Sequence, residues 1–471
     1  MRNKFTGVWI WLFLIPLAFD FKATEDTTSH LTQILLVLPT VSAGFLLLLI
    51  APRFQQRSHM RKVVICGLLM TILGSAFTQA LRGNDVGNYM RVMLPFLLFL
   101  LGYHVACHPW SDVRLAQIEK ALLWAMVMSL GFTLVYGFAT IGSLEDVRFR
   151  IVSVTFLGLQ ALLLHEFVVA KRYRAFSIAV FLATIVIELL SVTRSLMIAT
   201  ILLFVLATWL SAPSLRHMVR AAFRSIVIGL LIAAAAAGAA ALFPSVSEHW
   251  TQRIFASKET EAGVDPTTIT RLAEMKDQYD QVTSSSVALL AGEGYGHLYR
   301  YSPSYLPDLH GQISAKDFFA IREWVAGHNF WVYQLFAGGV LFGIAMPLVI
   351  IYTLIKSVFA HREWRRRMPN LLYLPVLGRS IMMLAAVPAI SIGGNPLGPR
   401  FSGLVFGVAL GLVVATYARI AQTMRVRAAR HVVRPHHAPT MSPVPQWPQG
   451  NLEGRPGIAQ LPPGLPGRAQ S

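Results

Sequence analysis

The sequence predicts an all-α polytopic membrane protein with about twelve transmembrane helices and one large loop that contains short helices. Hydrophobic residues make up 55% of the 471 residues and charged residues only 14%, and the mean hydropathy is +0.54. A soluble protein carries about 25% charged residues, so this composition favours a membrane protein. Apolar stretches recur along the chain, and Lys and Arg concentrate in alternate loops between them.

A transmembrane helix needs about 20 predominantly apolar residues, and about twelve stretches of the chain approach or reach this length. Nine of them fall within residues 1–243 and three within residues 327–420. The stretches are 7–20, 31–51, 63–81, 92–107, 115–140, 150–170, 175–190, 193–211, 225–243, 328–355, 371–390 and 401–419.

The distribution of positive charge orients these helices, because cytoplasmic loops are enriched in Lys and Arg. If the N-terminus is cytoplasmic, that side holds 26 of the 41 basic residues but only 5 of the 23 acidic residues. Its net charge is then +21 and that of the remaining chain −3. The overall charge of +18 therefore reflects orientation, and no nucleic acid partner is expected. An even number of helices predicts that both termini are cytoplasmic.

Residues 244–326 form the large loop, which this orientation places on the outer side. Asp265-Pro266 is typical of a helix start, and the apolar residues after it recur at helical spacing, which predicts an amphipathic helix at 266–283. A flexible glycine-rich turn is expected at Gly292–Gly296. A phosphate-binding role for this turn is disfavoured, because no strand precedes it.

Three tyrosines crowd the next part of the loop and allow two interpretations. Their rings could stack on sugars, or they could pack the loop onto the membrane surface as interfacial aromatic residues. The residues are Tyr299, Tyr301 and Tyr305. Beyond the last helix, residues 421–471 are predicted to be a disordered cytoplasmic tail, basic at first and then rich in proline.

Ionisable residues in or beside transmembrane helices are the best indicators of function in a membrane protein. The topology places Arg91, Arg194, Arg271 and His328 together on the outer side. Taken singly, an arginine can snorkel to lipid headgroups, Arg271 can pair with Glu274, and water can satisfy an interfacial histidine. Together these residues suit one task, in which arginines bind a diphosphate and a neutral imidazole accepts a proton from a hydroxyl.

The substrate-binding set is predicted to extend beyond these four residues. We expect Arg322, Asn329 and Arg379 to join Arg91 in contacting the substrate. Arg379 lies inside the eleventh span, and Glu188, near the outer end of the seventh, is a candidate ion-pair partner.

Other kinds of membrane protein are less well supported. A transporter or flippase would show inverted repeats with matching helix breaks, and the break at Gly393–Pro399 has no counterpart in the sequence. A channel needs polar faces on several helices, whereas most of these spans are apolar on all sides. The spacing of His, Asp and Glu does not indicate a metal site, so neither a metal nor another cofactor is expected.

The topology and three short motifs resemble the O-antigen ligase and O-antigen polymerase superfamily of bacterial surface-polysaccharide enzymes, over roughly residues 30–420. The motifs are Thr193-Arg194-Ser195 before an apolar span, Arg271 with the turn Gly292–Gly296, and His328-Asn329 with Gly338-Gly339. The last is the most specific. The chain departs from the family pattern at Phe342, where a small or turn residue is frequent.

This resemblance implies a metal-independent, inverting glycosyltransferase of the GT-C kind in the bacterial inner membrane, with a periplasmic active site. The donor would be a glycan on undecaprenyl diphosphate. The acceptor would be lipid A-core in a ligase of lipopolysaccharide biosynthesis, or a lipid-linked repeat unit in an O-antigen or exopolysaccharide polymerase, and the ligase is slightly favoured. His328 would activate the acceptor hydroxyl, while Arg194 and Arg271 would hold the diphosphate and stabilise the charge that develops on it.

Overall fold

The structure is a computed structural model that describes most of the chain up to residue 433. The described residues are 2–20, 27–55, 57–141, 153–190, 194–212, 263–309 and 312–433, with a few more between 216 and 255. The ninth predicted span (225–243) and the predicted tail from residue 434 onward lie outside them, as does nearly all of the loop before residue 263. The chain forms two compact units, residues 1–423 and 424–471.

Helices build the described part of the chain, in which one antiparallel bridge, between Tyr299 and Glu323, is the only β-pairing. The first eight α-helices are α1 (Arg2–Leu14), α2 (Thr27–Ile50), α3 (His59–Arg82), α4 (Val86–Cys107), α5 (Asp112–Ile141), α6 (Ser153–Leu164), α7 (Ala175–Leu190) and α8 (Arg194–Ser211). The others are α9 (Pro266–Thr283), α10 (Ser286–Ala291), α11 (Ala315–Ala320), α12 (Phe330–Gly338), α13 (Ala345–Arg367), α14 (Leu374–Ile390) and α15 (Ser402–Val433).

Six of these helices are long and apolar enough to cross a membrane, namely α3, α4, α5, α8, α13 and α15. Shorter apolar helical segments lie at α1, α2, α6, α7, α12 and α14. The protein is therefore a helical membrane protein in its described part. The count of twelve spans and the outer position of the loop stay predictions.

The predicted tenth span, 328–355, is not one continuous helix. It divides into α12 and α13, with a π-helical segment at Gly339–Gly343 between them. Gly339 has a φ of +62°, and a Cβ there would lie 2.4 Å from the backbone oxygen of Leu290. The break thus comes from close packing against the end of α10, which the apolar composition of the span does not reveal.

The predicted boundaries of the loop helix agree with the structure, whereas those of the last helix do not. The amphipathic helix at 266–283 is confirmed as α9, and the side chain of Asp265 caps it by accepting a hydrogen bond from the backbone N–H of Thr268. The last helix, α15, continues to Val433, past the boundary predicted at residue 420. Ala, Arg and Met favour helix, and basic residues near a helix C-terminus interact favourably with its dipole, so the basic start of the predicted tail continues the helix up to residue 433.

Helices α4 and α15 pack backbone to backbone at the centre of the fold. A Cβ at Gly403 would lie 1.8 Å from the backbone oxygen of Pro95, and one at Gly407 would lie 2.1 Å from that of Phe99. The contacts advance by four residues in both helices, so the two run parallel. Small residues at this spacing allow the close approach that stabilises helix pairs in membranes.

Candidate active site

His328 is held by a buried carboxylate. Its ring nitrogen Nδ1 lies 2.7 Å from Oε2 of Glu274, and its backbone N–H donates to Oε1 of the same residue over 2.9 Å. The Glu274 side chain is 2% exposed and that of His328 is 60% exposed. A fixed carboxylate therefore anchors an imidazole that faces the solvent-accessible side.

The local sequence explains why His328 can sit against Glu274. Glu274 lies on the buried face of α9, and Gln278, one turn later, donates to its Oε1 over 3.2 Å. Gly327 packs so closely that a Cβ there would lie 2.6 Å from the same oxygen. Asn329 caps α12, since its side-chain oxygen accepts from the backbone N–H groups of Trp331 and Val332. The amide oxygen predicted to contact substrate thus has a structural role.

The contact with Glu274 determines which nitrogen of His328 can act as a base. An ionised carboxylate only accepts hydrogen bonds, so Nδ1 carries the proton that it donates to Glu274. Nε2 of the neutral ring then keeps its lone pair. A neutral imidazole with a fixed tautomer and an open Nε2 is suited to accept a proton from a hydroxyl.

Arg194 is tied to the same helix as Glu274. Its Nη2 lies 2.7 Å from Oδ2 of Asp265, the residue that caps α9. Nine positions separate Asp265 from Glu274, which corresponds to about 14 Å along a helix at 1.5 Å per residue. The Arg194 side chain is 40% exposed and the guanidinium has five N–H donors, so it keeps donors for an anion.

Arg271 lies between these two anchoring points. It is three residues before Glu274 on α9, and side chains at this spacing are neighbours on a helix surface. Burial raises the pKa of Tyr301, and the positive charge of Arg271 opposes that rise, so the guanidinium is near enough for its charge to act on Tyr301. Helix α9 therefore carries or contacts all three of the residues predicted to be catalytic.

The segment after α14 contacts the chain next to His328 and also next to Arg194. The side-chain amide of Asn395 donates to the backbone oxygen of Gly327 over 3.1 Å. Gly393 lies against Ser195, since a Cβ on it would come within 2.5 Å of the Ser195 Cβ. The break at Gly393–Pro399, considered in the sequence analysis as a transporter feature, thus links the residue before His328 to the residue after Arg194.

Arg91 lies at the same end of the helix bundle as His328, and its neighbour is Trp324. Its guanidinium carbon is 5.6 Å from the ring centre of Trp324, four residues before His328. Arg400, just before α15, is close enough to Arg91 for the two charges to interact.

Arg322, which was also predicted to bind substrate, is exposed, and within the described part of the chain its side chain has no ion pair.

The structure does not bring Arg379 to this site. Its guanidinium binds both carboxylate oxygens of Glu119, at 2.9 and 2.8 Å, and lies 3.5 Å from Glu166. It is 12 positions before Ser391, whose hydroxyl accepts from the Trp331 indole, and this corresponds to about 18 Å along α14. The suggested pairing with Glu188 is wrong.

Glu188 takes part in a separate group of polar side chains. Its Oε2 accepts a hydrogen bond of 2.8 Å from the side-chain amide of Gln160. The hydroxyl of Thr200 lies 3.0 Å from its Oε1. Arg379 and Glu188 thus belong to different clusters, which does not support a shared transport pathway through them.

The glycine-rich turn is rigidly packed rather than flexible. Residues Gly292–Gly296 are buried, and the backbone N–H groups of Glu293 and Gly294 donate to the backbone oxygens of Phe336 and Ala337. Arg82 binds the Glu293 carboxylate at 3.1 Å. Because these N–H groups are already used, the turn holds the loop against α3 and α12 and does not cradle a phosphate.

The three tyrosines of the loop mainly build its interior. Tyr299 is 1% exposed and packs against Phe336, with ring centres 6.0 Å apart. Tyr301 and Tyr305 pack on a small buried cluster of Ile269, Leu309 and Phe318. Neither sugar stacking nor contact with the membrane surface describes Tyr299, because its ring is enclosed by the protein.

Sequence reasoning missed several residues that shape this site. Glu274 was considered only as a partner of Arg271, and Asp265 as a helix cap and as one of several scattered candidate metal ligands. Glu323 was not considered; burial and the nearby Glu274 raise its pKa, and His328 opposes the rise, so it lies close to both. Among the described residues, no group of three His, Cys, Asp or Glu side chains is arranged to hold a metal ion.

No family model and no curated protein matches this chain. The function is therefore argued from the site itself and from the motifs of the sequence.

Proposed function

We propose that the protein is an inverting, metal-independent glycosyltransferase of the O-antigen ligase type. It transfers a glycan from undecaprenyl diphosphate to a sugar hydroxyl of lipid A-core at the periplasmic face of the bacterial inner membrane. The observation that carries the proposal is the contact between His328 and the buried Glu274, on a helix that also bears Arg271 and binds Arg194 at its start.

The reaction needs one proton acceptor and a site for a diphosphate leaving group that gains a negative charge as its bond to carbon breaks. The acceptor hydroxyl oxygen attacks the anomeric carbon and forms the new glycosidic bond, while the bond from that carbon to the diphosphate oxygen breaks. The bonding electrons leave with undecaprenyl diphosphate. The hydroxyl proton passes to Nε2 of His328 and then to water, so charge and atoms balance without a metal or a nucleotide.

Glu274 and the two arginines support the transition state in different ways. Glu274 fixes the tautomer of the neutral His328 ring, with the proton on Nδ1 and the lone pair on Nε2, and its negative charge stabilises the imidazolium as it forms. Arg194 and Arg271 stabilise the charge that develops on the diphosphate, which is the electrostatic role that a metal performs in other enzymes. Because a diphosphate is already a good leaving group, the reaction does not require a general acid.

The test uses purified full-length protein with an undecaprenyl-diphosphate glycan, with lipid A-core added or omitted. Glycan on lipid A-core is the expected product, and it should disappear in His328→Ala and in Arg271→Ala. Arg300→Gln removes an exposed loop arginine that lies outside the proposed site, and should retain activity. Near-normal transfer by both alanine variants would overturn the mechanism.

The same experiment separates the proposed ligase from its alternatives. A ladder of products without lipid A-core would indicate a polymerase that uses a lipid-linked repeat unit as its acceptor. If the protein forms no glycosidic bond but moves the lipid-linked glycan across a liposome membrane, it is a transporter or flippase instead.

A further inference from the structure

A pair of arginines lies at the end of the α4–α15 helix pair. The closest backbone contact between these helices is Gly403 against Pro95, and the next is Gly407 against Phe99. One turn beyond the first contact, α4 carries Arg91, four residues before Pro95. Arg400 lies three residues before Gly403, just ahead of the start of α15. The parallel register of the two helices therefore brings Arg91 and Arg400 side by side.

The charges around this pair leave it with an excess of positive charge. Among the described residues, the charged groups that act on Arg400 are Asp20 and Arg91. Arg400 is partly buried and Arg91 is exposed. Burial lowers the pKa of Arg400 and Arg91 adds to that effect, while Asp20 opposes it. Two guanidinium groups with one carboxylate keep a net charge of about +1, which an anion can neutralise.

Trp324 connects this pair to the candidate active site. Its ring lies under the Arg91 guanidinium at 5.6 Å, in the short segment that leads from α11 to His328. The backbone of the neighbouring Glu323 is fixed by two hydrogen bonds to Tyr299, of 2.8 and 2.9 Å. Arg91 is therefore placed against a fixed segment that ends at His328.

We propose that Arg91 and Arg400 form a second anion site, separate from Arg194 and Arg271, that binds a phosphate group of the acceptor lipid. The choice of the acceptor rests on the proposed function, whereas the anion site itself does not. Guanidinium groups bind phosphate oxygens through paired hydrogen bonds, and two adjacent guanidiniums repel one another unless an anion lies between them.

The stereochemistry of the reaction explains why a second site is needed. In an inverting displacement the acceptor oxygen and the leaving diphosphate lie on opposite sides of the anomeric carbon. Cations that hold the leaving group therefore cannot also hold an anionic acceptor in position. Lipid A-core carries phosphate groups on its sugars, and a lipid-linked repeat unit carries a diphosphate, so both candidate acceptors have the group that this pair would recognise.

The first measurement is the binding of lipid A-core and of enzymatically dephosphorylated lipid A-core to the full-length protein in detergent. The double variant Arg91→Gln/Arg400→Gln should bind phosphorylated lipid A-core at least about tenfold more weakly and the dephosphorylated form as wild type does. Arg300→Gln, which removes an exposed arginine that does not belong to this pair, is the matched control and should bind both as wild type does. Unchanged binding, or equal weakening for both lipids, would overturn the proposal.

A conservative variant separates loss of the site from loss of the fold. Arg91→Lys/Arg400→Lys keeps both charges but not the paired guanidinium hydrogen bonds, and should recover part of the binding that depends on phosphate. If the lysine variant elutes as folded protein yet binds as weakly as the glutamine variant, charge recognition of phosphate is excluded.

Steady-state kinetics then tests whether the phosphate belongs to the acceptor. The KM for the acceptor should rise in Arg91→Gln/Arg400→Gln, while kcat and the KM for the donor change little. The measurement is made with lipid A-core and with a lipid-linked repeat unit as acceptor, and the larger rise identifies which phosphate is bound. A rise confined to the KM for the donor would overturn the assignment to the acceptor. If the wild type transfers no glycan but binds lipid A-core in a phosphate-dependent way, the proposed function fails and the anion site remains.

Discussion

At the scale of single residues, the geometry of His328 depends on Glu274. The carboxylate contacts both the backbone and the ring of His328, and Gln278 and Gly327 leave it little room to move. Glu274 does not touch the substrate in the proposed mechanism, so it is a positioning residue. Its effect should appear in the rate of the chemical step rather than in binding.

We expect Glu274→Gln to lower kcat by about 10²-fold, because a positioned general base contributes about 10²- to 10⁴-fold and the amide no longer fixes the tautomer of His328. The KM for the donor should change little, and Glu274→Asp should restore part of kcat. Initial rates of glycan transfer at varied donor concentration measure both constants. Glu323→Gln removes a charge close to His328 without removing this hydrogen bond, and an equal fall in that variant would contradict a positioning role.

The sequence predicted His328, Arg194 and Arg271 as site residues, but it did not predict their partners. Arg194 and His328 stood out because a charged or titratable group beside an apolar span is costly to place, and Arg271 because it lies on the predicted loop helix on the same side. Glu274 is 54 positions from His328, and Asp265 is 71 positions from Arg194. Local spacing paired Glu274 with Arg271, and the position of both residues within apolar spans suggested the pair of Arg379 and Glu188. The packing of the helices determines which carboxylate pairs with which histidine or arginine, and a single sequence does not contain that information.

At the scale of elements, the success of a prediction depended on whether its signal was local. Helix α9 was found correctly, because a capping aspartate followed by proline fixes a helix start through adjacent atoms. The division between α12 and α13 was missed, since Gly339 adopts a positive φ only to fit the end of α10. The turn at Gly292–Gly296 was predicted, but its glycines serve tight packing rather than flexibility.

We expect Gly292→Ala to lower the thermal stability of the protein in detergent more than Gly83→Ala does. Both glycines have a positive φ, +83° and +65°, and a side chain in a sparsely populated backbone region costs about 1–3 kcal/mol. Only Gly292 also meets a neighbour, with the Ala337 oxygen 2.4 Å from its Cβ position, whereas nothing lies within 4 Å at Gly83. The midpoint of heat-induced loss of the monodisperse peak measures this difference. Equal midpoints would show that the turn is not tightly packed.

At the scale of the whole molecule, the few cations near His328 contrast with the many at the opposite end of the helices. Arg365, near the C-terminus of α13, donates to the backbone oxygens of Leu210 and Val169. Arg379 is neutralised by Glu119 and Glu166. Cations at that end therefore bind helix ends and carboxylates of the protein itself. The larger number of cations at that end agrees with a cytoplasmic position for it, which the positive-inside rule predicts.

The side on which each end lies can be tested by cysteine labelling, starting from a chain in which Cys66 and Cys107 are replaced by alanine. Lys316→Cys and Arg174→Cys each place a thiol at an exposed position. The predicted topology has three spans between these positions (175–190, 193–211 and 225–243), so they should lie on opposite sides of the membrane. A membrane-impermeant maleimide should label Lys316→Cys in spheroplasts, and Arg174→Cys only after permeabilisation. The third of these spans lies outside the described residues, so labelling tests whether it exists. Labelling of both thiols from the same side would exclude this span. It would also exclude either the periplasmic location of the His328 site or the cytoplasmic location of the basic end.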